Sequence, residues 1–272
     1  MAGVSLKQMI VVLSCCAGMQ CASPPRPVAL AINFTGQGTS SYALQSRING
    51  AVYFADSGYQ SFSTAAACTL TATPSYSDTA AISLKAGSVS IISNVMSADE
   101  IENLRQQVST TTLTLERRDG YFFEHETAGM PVVAIGQWDL LRTLVKIVPA
   151  LPTHAVRPGY TWDRERQFPV ETQQGKAIGH LYQSFKLDSI SNSGQAHVHW
   201  LFTFRLEMLD VDTVNVLQNV PQSGSGDGRA IIGINDGSLI KALVNFAVPK
   251  TGSDALKMDW KETVVLKKVI SQ

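Results

Sequence analysis

The chain has 272 residues, enough for one large or two small domains, and all-β chains of this size are often one domain. Lys+Arg and Asp+Glu stand at 22 each, so the net charge is zero and the basic excess of a nucleic-acid binder is missing. Charged residues are 16%, below the usual share of about a quarter, while Ser, Thr, Gly, Val and Ile suit strands and turns.

Residues 1–21 read as an export signal. Lys7 is the one positive charge before an apolar run at 9–13, and residues 14–19 are small or apolar. The run is far shorter than the roughly 20 residues of a membrane-spanning helix. Val12-Leu13-Ser14-Cys15 resembles the lipobox of bacterial lipoproteins: a Cys follows a small residue, and an aliphatic lies three positions before it. Leu13 departs from that pattern. Lipidation is expected at Cys15, with Cys16 and Cys21 as alternatives. The expected membrane partner is then the bilayer, reached through an acyl anchor whose buried methylenes add about 0.8 kcal/mol each.

Residues 22–39, with Pro24, Pro25 and Pro27, read as a tether, because proline favours extended chain. A single domain is expected over 40–272. Tyr42, Leu44, Ser46, Ile48, Gly50 and Val52 share one strand phase, and strands continue over 62–72 and 80–92 with turns at 56–58 and 74–78. Cys68 lies in the first of these two strands, as a buried thiol or, in an exported protein that retains Cys21, as its disulfide partner. Ser97-Ala98-Asp99-Glu100 is a capping box that opens a helix with Ile101, Leu104 and Val108 on one stripe. Asp119-Gly120 turns a hairpin between 110–115 and 121–127. Trp138, Leu141, Leu144, Val145 and Val148 recur at helical spacing, so a second helix is expected before Pro149 and Pro152.

The C-terminal half reads as strands at 177–190, 196–208, 228–235, 238–248 and 254–270, with turns at Ser193-Gly194, Asp236-Gly237 and Thr251-Gly252. The clearest strand is 196–208. Val198, Trp200, Phe202, Phe204, Leu206 and Met208 fall on one face; His197, His199, Thr203, Arg205 and Glu207 fall on the other, with Leu201 the exception. A one-residue slip would wet the whole apolar set, so the register is fixed. Tight turns between successive strands make an antiparallel meander. The expected fold is mainly β (α+β): a large curved antiparallel sheet or half-barrel covered by two helices.

Chemical motifs are few. His197 and His199 share a strand face and His180 lies on a neighbouring strand, but with Arg205 and Glu207 beside them they read as exposed polar residues, and no metal site or cofactor is expected. Ser223-Gly224-Ser225-Gly226-Asp227-Gly228 lacks the Lys-Ser/Thr of a phosphate-binding loop and reads as a flexible hairpin loop. Asp163, Glu165 and Glu171 alternate with Arg164 and Arg166, the pattern of a solvated strand rather than an acid–base pair. Gly-x-Ser-x-Gly and His-Glu-x-x-His do not occur, and an enzyme is not expected.

Leu151-Pro152, the run Pro158-Gly159-Tyr160-Thr161-Trp162, and Gly226-Asp227-Gly228 ahead of Asp236-Gly237 resemble a family of uncharacterised exported bacterial proteins. The order of elements resembles the open-barrel fold of bacterial lipoprotein-localisation factors. That resemblance implies an unclosed barrel with an apolar interior, no catalysis and a cell-envelope address in the periplasm or outer membrane. Two functions follow as expectations. One is a binding protein that holds a lipid or another apolar ligand against Trp200, Phe202 and Phe204. The other is a structural or interaction module of the envelope surface, in which the same rings are core.

Overall fold

The computed structural model describes residues 26–35, 38–56, 58–74, 81–110, 112–118, 121–124, 134–135, 138–139, 148–172, 175–208, 223–252 and 256–269. Most of them are strand. In chain order they form β1 (Ser40–Phe54), β2 (Gly58–Pro74), β3 (Ala81–Ser93), α1 (Ala98–Thr110), β4 (Thr112–Arg118), β5 (Tyr121–Glu124), β6 (Ala134–Ile135) and β7 (Trp138–Asp139). Then come β8 (Thr161–Thr172), β9 (Gly175–Ile190), β10 (Gln195–Met208), β11 (Ser223–Gly233), β12 (Leu239–Gly252) and β13 (Leu256–Val269).

One antiparallel sheet takes eleven of these strands, in the order β5-β4-β3-β2-β1-β13-β12-β11-β10-β9-β8. It is two meanders joined at their ends. The join is the pairing of β1 with β13, which runs in register from Ser41↔Val269 to Phe54↔Leu256. The sheet is open: β5 and β8 are its two edges, and no pairing closes it into a barrel. β6 and β7 form a separate two-stranded ribbon.

One face of the sheet is apolar and the other polar, as period-2 alternation requires. On β10, Ala196, Val198 and Trp200 are buried, whereas Leu201 is 58% exposed on the opposite face. The turns at 191–194 and 235–237 mark what we call the upper end, and the β1–β2 turn marks the lower end. The upper half of the apolar face is filled. Leu30, Ile32 and Phe34 lie buried against it, as do Val148, Ala150, Leu151 and Val156. Bridges Val28↔Val156 and Asn33↔Ser238 fix these two segments, Tyr42 Oη donates to Phe34 O at 2.8 Å, and Trp162 Nε1 donates to Ala150 O at 2.8 Å. Full burial of each large apolar side chain contributes about 1.5–3 kcal/mol.

Three expectations are corrected here. Residues 28–34 belong to the packed domain rather than to a tether over 22–39, because Leu30, Ile32 and Phe34 alternate inward like a strand. The helix expected from Trp138 begins instead as strand, with Trp138 paired to Ile135; residues 140–147 lie outside the described residues. The cover expected from two helices comes, among the described residues, from α1 and the two irregular segments. The helix itself follows its sequence signal. Ser97 N donates to Glu100 Oε2 at 2.7 Å and Glu100 N to Ser97 Oγ at 3.3 Å, the reciprocal bonds of a capping box. Val108 is buried, with Ile101 and Leu104 packed beside it. β4 and β5 pair as the expected hairpin, with Arg118 opposite Tyr121; Asp119 and Gly120 themselves lie outside the described residues.

Candidate apolar ligand site

The lower half of the apolar face carries a second cluster: Ile48, Phe246, Val248 and Trp260, with Phe62, Phe202, Phe204 and Met258 only partly buried around it. The three aromatics singled out on β10 therefore differ. Trp200 is fully buried in the upper cluster, tilted against Phe185 at 5.7 Å. Phe202 touches both clusters and Phe204 only the lower one. Trp200 is thus core, and Phe202 and Phe204, with Phe62 and Met258, are only partly buried.

What shapes this region is the glycine run of β11, which is strand and not the flexible loop expected from its composition. Gly224, Gly226 and Gly228 alternate with Ser225 and Asp227, so all three glycines face inward. Trp200 lies opposite Gly228, and Phe202 opposite Gly226. A Cβ on Gly228 would overlap the Trp200 indole, one on Gly226 the Phe202 ring, and one on Gly224 the Phe246 ring. The rings cover bare backbone, as aromatic side chains do over strand glycines. Phe202 and Phe246, from the strands on either side, stack with centroids 5.8 Å apart and planes 8° from parallel. Phe204 meets Phe246 edge-on at 6.4 Å, and Phe246 meets Trp260 at 6.4 Å. The result is a low aromatic floor. Its signal in the sequence was the alternation Gly-x-Gly-x-Gly at period 2, which marks one strand face lacking side chains.

Polar groups border the floor. Glu262 is 4% exposed on β13 and accepts a hydrogen bond from Ser46 Oγ at 3.1 Å. On the far side, Gln183 of β9 is buried, and Arg164 and Arg166 of the edge strand β8 share the inward phase of Trp162. The solvated strand expected here is polar on one face only: Asp163 and Glu165 are exposed, the two arginines partly buried.

His180 stays apart from His199. His180 Nε2 lies 3.0 Å from Glu207 Oε2, and His199 Nδ1 lies 3.1 Å from Asp188 Oδ2. His180 sits across from Arg205 and His199 across from Lys186, so the polar face separates them along the strands. Among the described residues no three ligand side chains gather for a metal. Cys68 is a free thiol in the upper cluster, and burial pushes its pKa up to about 12. Cys15, Cys16 and Cys21 lie outside the described residues. A shallow surface depression of about 360 Å³ at the β1–β2 turn is lined by Tyr53, Phe54, Tyr59, Lys250 and Lys257, away from the aromatic floor.

No family model matches this chain, and no curated protein is detectably similar in sequence. Among solved structures, one of lipovitellin that concerns lipid–protein interactions in that protein superposes with a TM-score of 0.51 at 9% identity. The match covers 88% of this chain and 26% of lipovitellin, so the chain spans about a quarter of that protein. The likeness is one of fold. DynF, from the dynemicin biosynthesis pathway of Micromonospora chersina, aligns over 90% of each chain at 5% identity, but its TM-score of 0.21 does not define a shared fold. The resemblance to lipoprotein-localisation factors thus rests on a large β-rich sheet, with no family model behind it.

Proposed function

We propose that this chain is a non-catalytic cell-envelope protein that binds a lipid or similar apolar ligand on the lower half of its sheet, within a half-barrel. The observation that carries this is the contrast between two halves of one face. The upper half is filled by Leu30, Ile32, Phe34 and the segment 148–156, while Phe62, Phe202, Phe204 and Met258 below are only partly buried. Partly covered aromatics beside a few polar groups are the usual lining of a small-molecule site. Lipovitellin, whose structure concerns lipid–protein interactions, lends support at the level of fold. The anchor belongs to the same proposal. Export with lipidation at Cys15, or at Cys16 or Cys21, would hold the domain on a membrane. Loss of radiolabelled palmitate from the Cys15→Ala variant in the native host tests that part.

A second reading, an envelope module without a small ligand, is favoured by the complete burial of Trp200. Titration with a fluorescent fatty acid separates the two. The binding reading expects saturable enhancement that weakens in Phe204→Ala. Absence of binding by the wild type, with a loss above about 3 kcal/mol in Phe202→Ala, would leave the ligand-free module.

A further inference from the structure

The rim of the aromatic floor carries an arginine with spare hydrogen-bonding capacity. Arg164 lies on the edge strand β8, two residues beyond the buried Trp162 and on the same face. Its Nε is buried without a hydrogen-bond partner. Among the described residues its one bond is a long one, Nη1 to the adjacent Asp163 O at 3.5 Å. Among the described residues no carboxylate pairs with it. A buried guanidinium donor left in this state costs free energy unless another acceptor supplies what is missing.

Register places that donor beside the floor. Arg164 lies opposite Gln183, Gln183 opposite Phe202, Phe202 opposite Gly226, and Gly226 opposite Phe246. Two strand spacings, about 10 Å, separate the Arg164 and Phe202 backbones, within the combined reach of the two side chains. A cation at the rim and aromatic rings inward match an amphiphile end to end. One guanidinium balances one negative charge, and its fork fits a carboxylate through two parallel bonds.

We propose that Arg164 is the headgroup-binding residue of this site and that the ligand is a single-chain fatty acid, its carboxylate on Arg164 and its acyl chain over Phe202, Phe204 and Phe246. This rests on the reading of the lower half as an apolar site. The whole chain is titrated calorimetrically with hexadecanoate, hexadecanol and hexadecyl phosphate, as wild type and as Arg164→Met and Arg164→Lys. The wild type is expected to bind the acid at least tenfold tighter than the alcohol. Arg164→Met should bring the acid to the level of the alcohol, and Arg164→Lys should keep part of the preference. Acid and alcohol binding equally to the wild type would overturn this inference and leave the apolar site standing. So would an acid preference that survives in Arg164→Met. A phosphate that binds more tightly than the acid would overturn the carboxylate assignment. Binding of none of the three would remove both the inference and the reading beneath it.

Discussion

Phe202 and Phe246 stack 5.8 Å apart across Gly226, the residue that pairs with both of them from the strand between. The stack exists because β11 offers no side chain at that point. A larger residue there would push the rings off the backbone and raise the floor. The glycines of β11 therefore govern both the packing of the upper core, through Gly228 and Trp200, and the depth of the lower region, through Gly226 and Gly224.

Gly228→Ala tests the first of these roles. The added methyl meets an indole that is itself fully buried, and an overpacked core loses about 1–3 kcal/mol. Urea melts should show a lower midpoint with an unchanged slope. A midpoint equal to wild type would mean that the indole has room to move, contrary to the packing described.

Much of this arrangement was legible in the residues, and the exceptions have physical causes. The alternation over 196–208 set the register of β10, the capping box set the start of α1, and the expected pairing of β4 with β5 is present. The run 223–228 was misread because glycine carries no hydrophobic signal, so a strand face made of glycines looks like a loop. Residues 28–34 were misread because three prolines precede them, while Leu30, Ile32 and Phe34 already alternated. The pairing of β1 with β13 joins opposite ends of the chain, and single-chain periodicity contains no information about such a contact. Arg164 and Arg166 looked solvated because a charged strand at a sheet edge has the same composition whichever way its charges face.

Alkaline pH should destabilise the fold. Burial raises the Cys68 thiol from 9.0 to about 12, and burial with the nearby Asp236 charge raises the Tyr42 phenol as well. Both groups keep their protons when folded and release them when unfolded, so the native state binds more protons in that range. Stability is then complete below about pH 9 and falls as pH rises toward 12. The decline approaches about 1.4 kcal/mol per pH unit for each proton. In Cys68→Ala the decline should begin later, near the ordinary tyrosine value of 10.0. Identical pH profiles for the two proteins would contradict this account of Cys68.

Ser46 and Glu262 form a polar bond at the border of the floor. Removal of the hydroxyl in Ser46→Ala withdraws a donor from a carboxylate that is 4% exposed, and a loss of about 1–3 kcal/mol is expected. Ser46→Thr should retain most of the stability, because its hydroxyl can take the same position. A Ser46→Ala variant as stable as wild type in urea would show that the serine bond adds nothing to the floor.

An apolar ligand on the lower half of the sheet would lie beside Trp260, whereas Trp162 belongs to the upper cluster. Brominated hexadecanoate quenches only the indoles it approaches closely, so tryptophan fluorescence locates it. Titration of the wild type, Trp260→Phe and Trp162→Phe with the brominated acid is the most direct measurement. The account predicts saturable quenching in the wild type and in Trp162→Phe, with most of it lost in Trp260→Phe while the protein remains folded. Quenching that survives in Trp260→Phe and disappears in Trp162→Phe, or no quenching in any of the three, would contradict it.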